Sequence, residues 1–456
     1  MCGVFGISAP ARDVARLTYF GLFALQHRGQ ESAGIAVSEQ GRLTGLRDLG
    51  LVAQVFDEQK LSGLHGELAI GHTRYSTTGS NAWANAQPLL HHGSARTVAL
   101  GHNGNLINAG ELRTEITGRL ATSSDSEVIA ALISNDERPL AEAVAAAITR
   151  LEGAATVVGL ADGCLFGFRD PHGFRPLVLG RLGDDPVLAS ETCALDLVGA
   201  TFEREIRPGE LVIAGPDGLH TEQAIPEAGR GALCIFEFFY LARPDTRLAG
   251  VEVHGARVRM GERLAEEAPV DADLVLPIPD SGTPAAIGFS RATGIPFSEG
   301  LIKNRYIHRT FIQPEQGMRD QGIRMKFNPL AELAGKRLVI VDDSIVRGST
   351  TRQIVQMLFD AGAAEVHVRI SSPPIISPCF YGIDLASEDE MIAAGNTVEG
   401  VREAIGATTL AYLSLDGLQA ATRRPETALC RACLTKEYPT RVPDDPAKLR
   451  FETARA

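Results

Sequence analysis

The fold is decided by the stretch Lys336-Arg-Leu-Val-Ile-Val-Asp-Asp-Ser-Ile-Val-Arg-Gly-Ser-Thr-Thr351. Its aliphatic run from Leu338 to Val341 is typical of a strand buried on both faces of a parallel sheet. The run ends at two adjacent carboxylates, Asp342 and Asp343. Because ligands of open α/β sheets bind beyond the carboxyl ends of the strands, the pattern predicts a binding site here.

The residues after this acidic pair indicate that the ligand carries phosphate. Hydroxyl groups and a glycine stand where the next helix begins, and the N-terminus of a helix attracts anions. The carboxylates would repel phosphate, so they serve either the vicinal hydroxyls of a sugar or a Mg2+ ion. The stretch has neither P-loop spacing nor a Gly-x-Gly-x-x-Gly motif after the strand. A sugar phosphate is therefore predicted, held by Ser344, Gly348, Ser349, Thr350 and Thr351.

The bulk composition indicates a globular, cytoplasmic protein of two domains. The chain has 456 residues, of which 44% are hydrophobic and 22% are charged. Its net charge of -12 argues against nucleic-acid and anionic-membrane partners, which need basic surfaces. No basic leader precedes an apolar run at the start, and no uncharged stretch is long enough to cross a bilayer. Seven cysteines favour thiols or metal ligands over a disulfide framework here.

The start of the chain contains a candidate nucleophile. Cys2 follows Met1 directly, so removal of Met1 alone would leave a cysteine whose α-amino group lies beside its own thiol. One residue would then supply both nucleophile and base, because that amine has an ordinary pKa of about 7.7–8.0. Taken alone, the stretch is explained equally well by an accidental cysteine at position 2.

Later motifs favour the catalytic interpretation of Cys2. Together with it, they resemble the N-terminal-nucleophile glutamine amidotransferase domain. The motifs are Gln26–Gln30, His72–Thr77, Gly101–Asn105 and Ser124–Glu127.

The resemblance implies catalytic or binding roles for residues in the last three of these motifs. Arg74 would bind the α-carboxylate of glutamine through its planar fork, and Asp125 would bind the α-ammonium group. The side-chain amide of Asn103 and the backbone N–H of Gly104 would form an oxyanion hole. Arg28 is interpreted as part of the scaffold, and the histidines of this half as hydrogen-bonded structural residues.

Turn dipeptides divide residues 154–224 into short apolar segments, which predicts antiparallel strands that complete the first domain. The resemblance implies that this domain is an αββα sandwich. The polar junction Glu227–Gly231 suggests a boundary. We therefore predict a glutamine amidotransferase domain at 2–230, a second domain at 231–440 and a polar tail at 441–456.

The second domain is predicted to be a doubly wound parallel α/β sheet. The Lys336–Thr351 stretch resembles the loop of type I phosphoribosyltransferases that binds phosphoribosylpyrophosphate (PRPP). Ser281 follows another apolar run, and the resemblance makes it a neighbour of Mg2+, although a plain helix cap explains it as well. A basic segment at 301–326 would close over the substrate. The PRPP contacts implied by the resemblance are Lys303, Arg305, Asp342, Asp343, Ser344, Arg347, Gly348, Ser349, Thr350 and Thr351, with Mg2+ near Ser281, Asp342 and Asp343.

Late cysteines from separate parts of the chain form a second candidate centre. Cys430 and Cys433 form a Cys-x-x-Cys pair, which alone is a weak signal, and Cys234 and Cys379 raise the number of thiols to four. By count they could bind a 4Fe–4S cluster or a zinc ion equally well, and the spacing does not decide between these.

An N-terminal-nucleophile glutaminase followed by a PRPP loop resembles the glutamine PRPP amidotransferase family over nearly the whole chain. The resemblance implies the conversion of glutamine, water and PRPP to 5-phosphoribosylamine, pyrophosphate and glutamate, the first committed step of purine synthesis. It also implies Mg2+, a 4Fe–4S cluster on the late cysteines, purine nucleotide inhibitors and a homo-oligomer, either dimer or tetramer. The alternatives are a PRPP-sensing regulator without catalysis, or another amidotransferase of this class with a different acceptor.

Overall fold

The computed structural model describes residues 2–76, 79–116, 118, 120–304, 325–385 and 387–442. In the first half of the chain, as far as it is described, antiparallel sheets lie face to face. The strands are β1 Gly3–Ser8, β2 Ser32–Glu39, β3 Arg42–Leu49, β4 Leu68–Arg74, β5 Leu89–His92, β6 Thr97–Leu106, β7 Gly153–Ala161, β8 Cys164–Arg169, β9 Val178–Leu182, β10 Asp185–Ala189, β11 Thr201–Glu205, β12 Glu210–Gly215 and β13 Gly218–Gln223. The helices are α1 Val14–Ala24, α2 Val52–Val55, α3 Glu58–Leu61, α4 Ala109–Glu115, α5 Ser126–Ser134, α6 Leu140–Ile148 and α7 Thr192–Val198.

The sheets of this half have the strand orders β11-β9-β10-β1-β4-β2-β3 and β13-β12-β8-β7-β6-β5. Side chains alternate between the faces of each strand. On β1, Val4 packs between the sheets, while Phe5 and Ile7 pack against the helices outside. Helices α1 and α7 cover one sheet, and α5 and α6 cover the other. The predicted αββα sandwich is therefore confirmed.

One helix in this half lies in a range where only strands were predicted. The segment at 154–224 was expected to hold antiparallel strands, but α7 lies between β10 and β11. Its apolar residues Ala194, Leu195 and Val198 recur at helical spacing and are buried against the sheet. This packing stabilises a helix where the turn signals had suggested only strands.

The second half contains a parallel sheet with the order β17-β20-β21-β22. Its strands are β14 Leu233–Cys234, β15 Arg247–Leu248, β16 Val251–Glu252, β17 Leu274–Pro277, β18 Leu301–Lys303, β19 Phe327–Pro329, β20 Arg337–Asp342, β21 Glu365–Ile370, β22 Thr409–Tyr412 and β23 Leu429–Cys430. Its helices are α8 Val253–Glu267, α9 Thr283–Thr293, α10 Ser349–Asp360, α11 Val398–Ile405, α12 Leu415–Thr422 and α13 Ala432–Thr435.

Strand β20 is buried on both faces, as its aliphatic run predicted. Val339 and Val341 pack on the side of α8, α9 and α12, whereas Leu338 and Ile340 pack on the side of α10 and α11. Burying each of these side chains stabilises the domain by about 1.5–3 kcal/mol. Helices on both faces of a parallel sheet confirm the predicted doubly wound architecture.

Within the described ranges, no helix combines the length and the apolar composition that a bilayer-spanning segment requires.

Candidate functional site

The fold brings Cys2 and Asn103 together at the edge where the first domain's sheets face each other. Cys2 precedes β1 and is buried, and its Sγ lies 3.7 Å from the carbonyl oxygen of Tyr75. Its backbone nitrogen donates a hydrogen bond of 3.3 Å to Oδ1 of Asn103, which lies on β6. Met1 lies outside the described residues. Cys2 and Asn103, 101 positions apart in the sequence, thus share one site.

Asn103 has a donor that the described part of the chain does not use. Its side chain is 0% exposed, and Nδ2 has no hydrogen-bond partner among the residues described. Leaving a buried donor unpaired costs about 1–3 kcal/mol, and a ligand that accepts from this amide would recover that cost. This amide is held by its oxygen beside the thiol and can donate to an oxyanion formed there.

Gly104 is required by close packing. A Cβ at this position would lie 2.0 Å from the carbonyl oxygen of Ala154 on β7. Only glycine allows the strands to approach so closely. The predicted role of its N–H in an oxyanion hole remains a prediction.

The predicted glutamine-binding residues lie on elements next to Cys2. Arg74 ends β4, which pairs with β1, and its buried guanidinium donates to the carbonyl of Ser80 at 3.2 Å. It also lies 3.7 Å from a carboxylate oxygen of Glu31. Asp125 begins α5 and accepts a hydrogen bond of 2.9 Å from the backbone N–H of Leu106 on β6. Arg74 thus lies on the strand next to β1, and Asp125 contacts the strand that carries Asn103, while their roles in binding glutamine remain predictions.

The buried histidines nearby are tied into the fold. Burial lowers the pKa of His72 to about 3, so its ring is neutral at physiological pH. Its Nε2 lies 3.0 Å from the carbonyl oxygen of His102. Nδ1 of His102 lies 3.1 Å from Oγ of Ser126.

The acidic pair lies at the carboxyl end of β20, where the sequence placed it. The backbone N–H of Asp343 donates to Asp342 at 2.9 Å, and Oγ of Ser344 donates to Asp343 at 2.5 Å. Burial and the negative charge of Asp343 raise the pKa of Asp342. Burial also raises the pKa of Asp343. A bound cation would favour the charged form of both groups.

The loops after β17 and β20 meet. Ser281 lies close enough to the carboxylate of Asp343 to lower its pKa, against the larger effect of burial. A Cβ on Gly282 would lie 2.4 Å from the carbonyl oxygen of Val341, so the two loops touch through their backbones. Ser281 is therefore a neighbour of the acidic pair.

The remaining predicted PRPP residues lie around this strand end or outside the described residues. Gly348 has a φ of 74° and begins α10, with Ser349 and Thr350 exposed and Thr351 buried in the first turn. Arg347 is exposed and pairs with Glu390 at 2.7 Å. Lys303 forms an ion pair with Asp280 in the loop after β17. Arg305 and the rest of the basic segment to residue 324 lie outside the described residues.

The late cysteines converge in one buried region. Cys234 and Cys430 are cross-strand neighbours in the parallel pair β14–β23, and none of the described cysteines forms a disulfide. Burial raises the pKa of Cys234 to about 11, and the nearby Cys379 adds to the rise. Burial and the other thiols also raise the pKa of Cys433. Among the described residues, no three His, Cys, Asp or Glu side chains form a group that fits a single metal ion.

A buried charge network beside Cys2 was missed by sequence reasoning. Arg28 pairs with Glu191 and Glu237, and Arg175 also pairs with Glu237. All of these side chains are 0% exposed. One signal could have revealed Glu237, because it is the lone charged residue in the apolar run Cys234–Leu241.

The second domain also contacts the Asn103 strand through residues 379–384. The carbonyl of Phe380 accepts a hydrogen bond of 2.9 Å from Nδ2 of Asn105. A Cβ on Gly382, whose φ is 101°, would lie 3.1 Å from the carbonyl oxygen of Gly104. The phenol of Tyr75 donates to Asp384 at 3.2 Å. The segment that carries Cys379 therefore packs directly on the motif Gly101–Asn105.

Known families match both halves of the chain. A glutamine amidotransferase domain family matches residues 72–197, and a phosphoribosyl transferase domain family matches residues 254–371.

Curated relatives match almost the full chain. The amidophosphoribosyltransferase of Mycobacterium tuberculosis (strain ATCC 25618 / H37Rv) is 51% identical, covering 98% of this chain and 88% of its own. That of Synechococcus elongatus is 52% identical, covering 100% and 95%. The solved glutamine PRPP amidotransferase from B. subtilis, complexed with ADP and GMP, superposes with a TM-score of 0.92 at 45% identity, covering 98% of this chain and 99% of that one. With such identity over nearly its whole length, the chain belongs to the amidophosphoribosyltransferase family.

Proposed function

We propose that this chain converts PRPP, glutamine and water to 5-phosphoribosylamine, pyrophosphate and glutamate, as the first committed step of purine synthesis. The observation that carries the proposal is the pairing of Cys2 with the unused Asn103 amide in one domain and the acidic pair at the end of β20 in the other. The names of its full-length relatives support the same reaction.

In the first half-reaction, the Cys2 thiol attacks the side-chain amide of glutamine. Once Met1 is removed, the nitrogen that now bonds Asn103 becomes an α-amino group, which can take the thiol proton and deliver it to the leaving ammonia. Nδ2 of Asn103 donates to the oxyanion of the tetrahedral intermediate. Arg74 and Asp125 orient the substrate through its charged ends. Water then releases glutamate from the thioester.

The Asn103→Asp variant tests the oxyanion donor. It keeps the oxygen that bonds the nitrogen of Cys2 but replaces the NH2 donor with an anionic oxygen. We expect the glutamine-dependent kcat to fall about 100-fold to 1,000-fold. Asn108→Asp is the matched control, since Asn108 is a buried asparagine whose Nδ2 already donates to the backbone carbonyl oxygen of Arg150 at 2.8 Å. A glutamine kcat within about threefold of wild type for Asn103→Asp would contradict the assignment.

In the second half-reaction, ammonia attacks C1 of the ribose while pyrophosphate leaves. We propose that Asp342 and Asp343 hold the ribose hydroxyls or Mg2+, and that the first turn of α10, with Ser349 and Thr350, binds the 5-phosphate. The oxygen donors of Asp342, Asp343 and Ser281 are those that Mg2+ prefers. When bound, Mg2+ would neutralise charge on the departing pyrophosphate. Lys303 and Arg305 would contact the same anion.

We further propose that Cys234, Cys379, Cys430 and Cys433 bind a 4Fe–4S cluster with a structural role. The donors fit this group, because buried thiols with raised pKa values stay neutral unless a bound metal stabilises the thiolate. A single zinc ion needs four sulfurs within about 2.3 Å of one point, whereas a four-iron cluster holds its cysteines farther apart. The proposed reaction transfers no electrons, so the cluster would stabilise the fold.

Metal and sulfide analysis of the purified protein tests this proposal. We expect about four iron and four sulfide per chain with visible absorption, and a Cys433→Ser variant that loses them. Cys164→Ser is the control, because Cys164 lies on β8, apart from the other thiols. An active, colourless protein with one zinc per chain, or with neither metal, would remove the cluster.

We also propose that purine nucleotides inhibit the enzyme and that it forms a homo-oligomer. The first proposal is supported by the B. subtilis relative, which was solved complexed with ADP and GMP. It fails if neither nucleotide lowers the rate of phosphoribosylamine formation.

A further inference from the structure

We propose that Glu237, a residue of the second domain, is a positioning residue for the Cys2 nucleophile and acts through Arg28. This inference rests on the proposed glutaminase function of Cys2. It assigns to the acceptor domain a part of the glutaminase site.

Arg28 contacts the backbone of Cys2 directly. Nε of Arg28 donates a hydrogen bond of 3.0 Å to the carbonyl oxygen of Cys2. Asn103 holds the nitrogen of the same residue at 3.3 Å. The backbone of Cys2 is therefore held on both sides of its Cα, and the position of the thiol depends on both holders.

Glu237 fixes the guanidinium of Arg28. Its Nη1 and Nη2 donate to Oε2 and Oε1 of Glu237 at 3.0 and 2.7 Å, which is a bidentate pair. Such a fork defines the plane of a guanidinium. With its outer nitrogens fixed in this way, Nε points at the Cys2 carbonyl.

Glu237 is itself held in place by the fold around it. It lies on the helical turn Glu237–Leu241 and is 0% exposed. Its Oε1 also accepts a hydrogen bond of 3.3 Å from Arg175, which in turn donates to the carbonyl of Tyr381 at 2.7 Å. The carboxylate that fixes Arg28 is thus held by its own helical turn and by Arg175, which Tyr381 of the second domain holds in turn.

The charges explain why a carboxylate is needed. The network contains two arginines, Arg28 and Arg175, and two carboxylates, Glu191 and Glu237, and Nε2 of His27 lies 2.8 Å from Glu191. Burial would lower the pKa of Arg28, but Glu237 and Glu191 outweigh this effect and raise it. Removing the charge of Glu237 leaves two buried cations facing one anion. An amide at this position would also turn a donor toward one guanidinium N–H, and Arg28 would have to move.

The Glu237→Gln variant of the full-length protein tests the proposal. We expect the glutamine-dependent kcat to fall at least about tenfold, because small misplacement of a reacting group costs about one to two orders of magnitude. The KM for glutamine should change by less than about threefold, since Arg74 and Asp125 are untouched. The ammonia-dependent rate should stay within about twofold of wild type, because it does not use Cys2. Alkylation of Cys2 by a thiol-reactive glutamine analogue, followed by mass spectrometry, should slow in parallel.

Glu210→Gln is the matched control. Glu210 is also 0% exposed and accepts a bidentate pair from Arg204 at 2.7 and 2.8 Å, but it lies on β12 away from Cys2. The Glu210→Gln variant measures how far neutralising a buried, paired carboxylate lowers glutamine-dependent activity when the carboxylate is not linked to Cys2. If both variants lose glutamine activity equally, or if Glu237→Gln loses both nitrogen sources equally, the positioning role is wrong.

If Glu237→Gln does not fold, Glu237→Asp decides the question. It keeps the charge but withdraws the carboxylate by one methylene group, so Arg28 must shift. A folded variant with reduced glutamine kcat and intact ammonia use supports the proposal, and wild-type glutamine kcat overturns it. A wild-type protein without glutamine-dependent synthesis would instead refute the proposed function, so the two failures are distinguishable.

Discussion

The Cys2→Ala variant is expected to lose glutamine-dependent synthesis of phosphoribosylamine by at least about a thousandfold. The thiol sulfur is the atom that bonds the glutamine carbonyl carbon, and the backbone nitrogen of Cys2 is the group that bonds the Asn103 amide oxygen. Synthesis from added ammonia should persist within about twofold, because the acidic pair of the second domain is unchanged. Both rates are measured in one assay, with glutamine or an ammonium salt as the nitrogen source.

Cys193→Ala is the matched control for this variant. Cys193 is also a buried cysteine of the first domain, but it lies on α7 and its Sγ is 3.7 Å from a carboxylate oxygen of Glu191. Glutamine use that survives in Cys2→Ala would overturn the nucleophile assignment. Absence of both activities from the wild-type protein would favour a PRPP-binding regulator.

The Asp343→Asn variant is expected to lose synthesis from both nitrogen sources by at least about a hundredfold. Asp343 is buried, accepts a hydrogen bond from Ser344 and lies beside Ser281 in the loop after β17. An amide would remove a charge that balances Mg2+ or binds the ribose hydroxyls. Steady-state rates with varied PRPP and Mg2+ measure the effect, and a raised requirement for Mg2+ alone would assign the carboxylate to the ion.

Asp360→Asn provides the comparison for this second variant, since Asp360 is an exposed carboxylate at the other end of α10. It should leave both rates within about twofold of wild type. If Asp343→Asn lost only the glutamine-dependent rate, the residue would act in transfer of ammonia rather than in binding of PRPP.

Local sequence patterns were sufficient where one element carries the information. The run Leu338–Val341 predicted β20, because a strand buried on both faces must be apolar throughout. The acidic pair at the end of β20 followed from the rule on strand ends, and Ser281 lies beside it.

Contacts between distant residues could not be read in the same way. Glu237 accepts a hydrogen bond from Arg28 across 209 positions, and the sequence around either residue does not indicate the other as its partner. Helix α7 was missed because it is stabilised by packing of its buried residues Ala194, Leu195 and Val198 against the sheet, which local sequence does not show. The unused donor of Asn103 likewise depends on the partners that folding provides.

The approach of Gly382 to Gly104 ties the sequence of one half of the chain to the backbone of the other. A Cβ on Gly382 would lie 3.1 Å from the Gly104 carbonyl oxygen, and its φ of 101° would strain any other residue. The acceptor half therefore contains a glycine that is required partly by the backbone of the glutaminase half. Exchanging the acceptor half for another domain would also remove the Phe380 carbonyl that accepts from Asn105, so this amide would need a new partner.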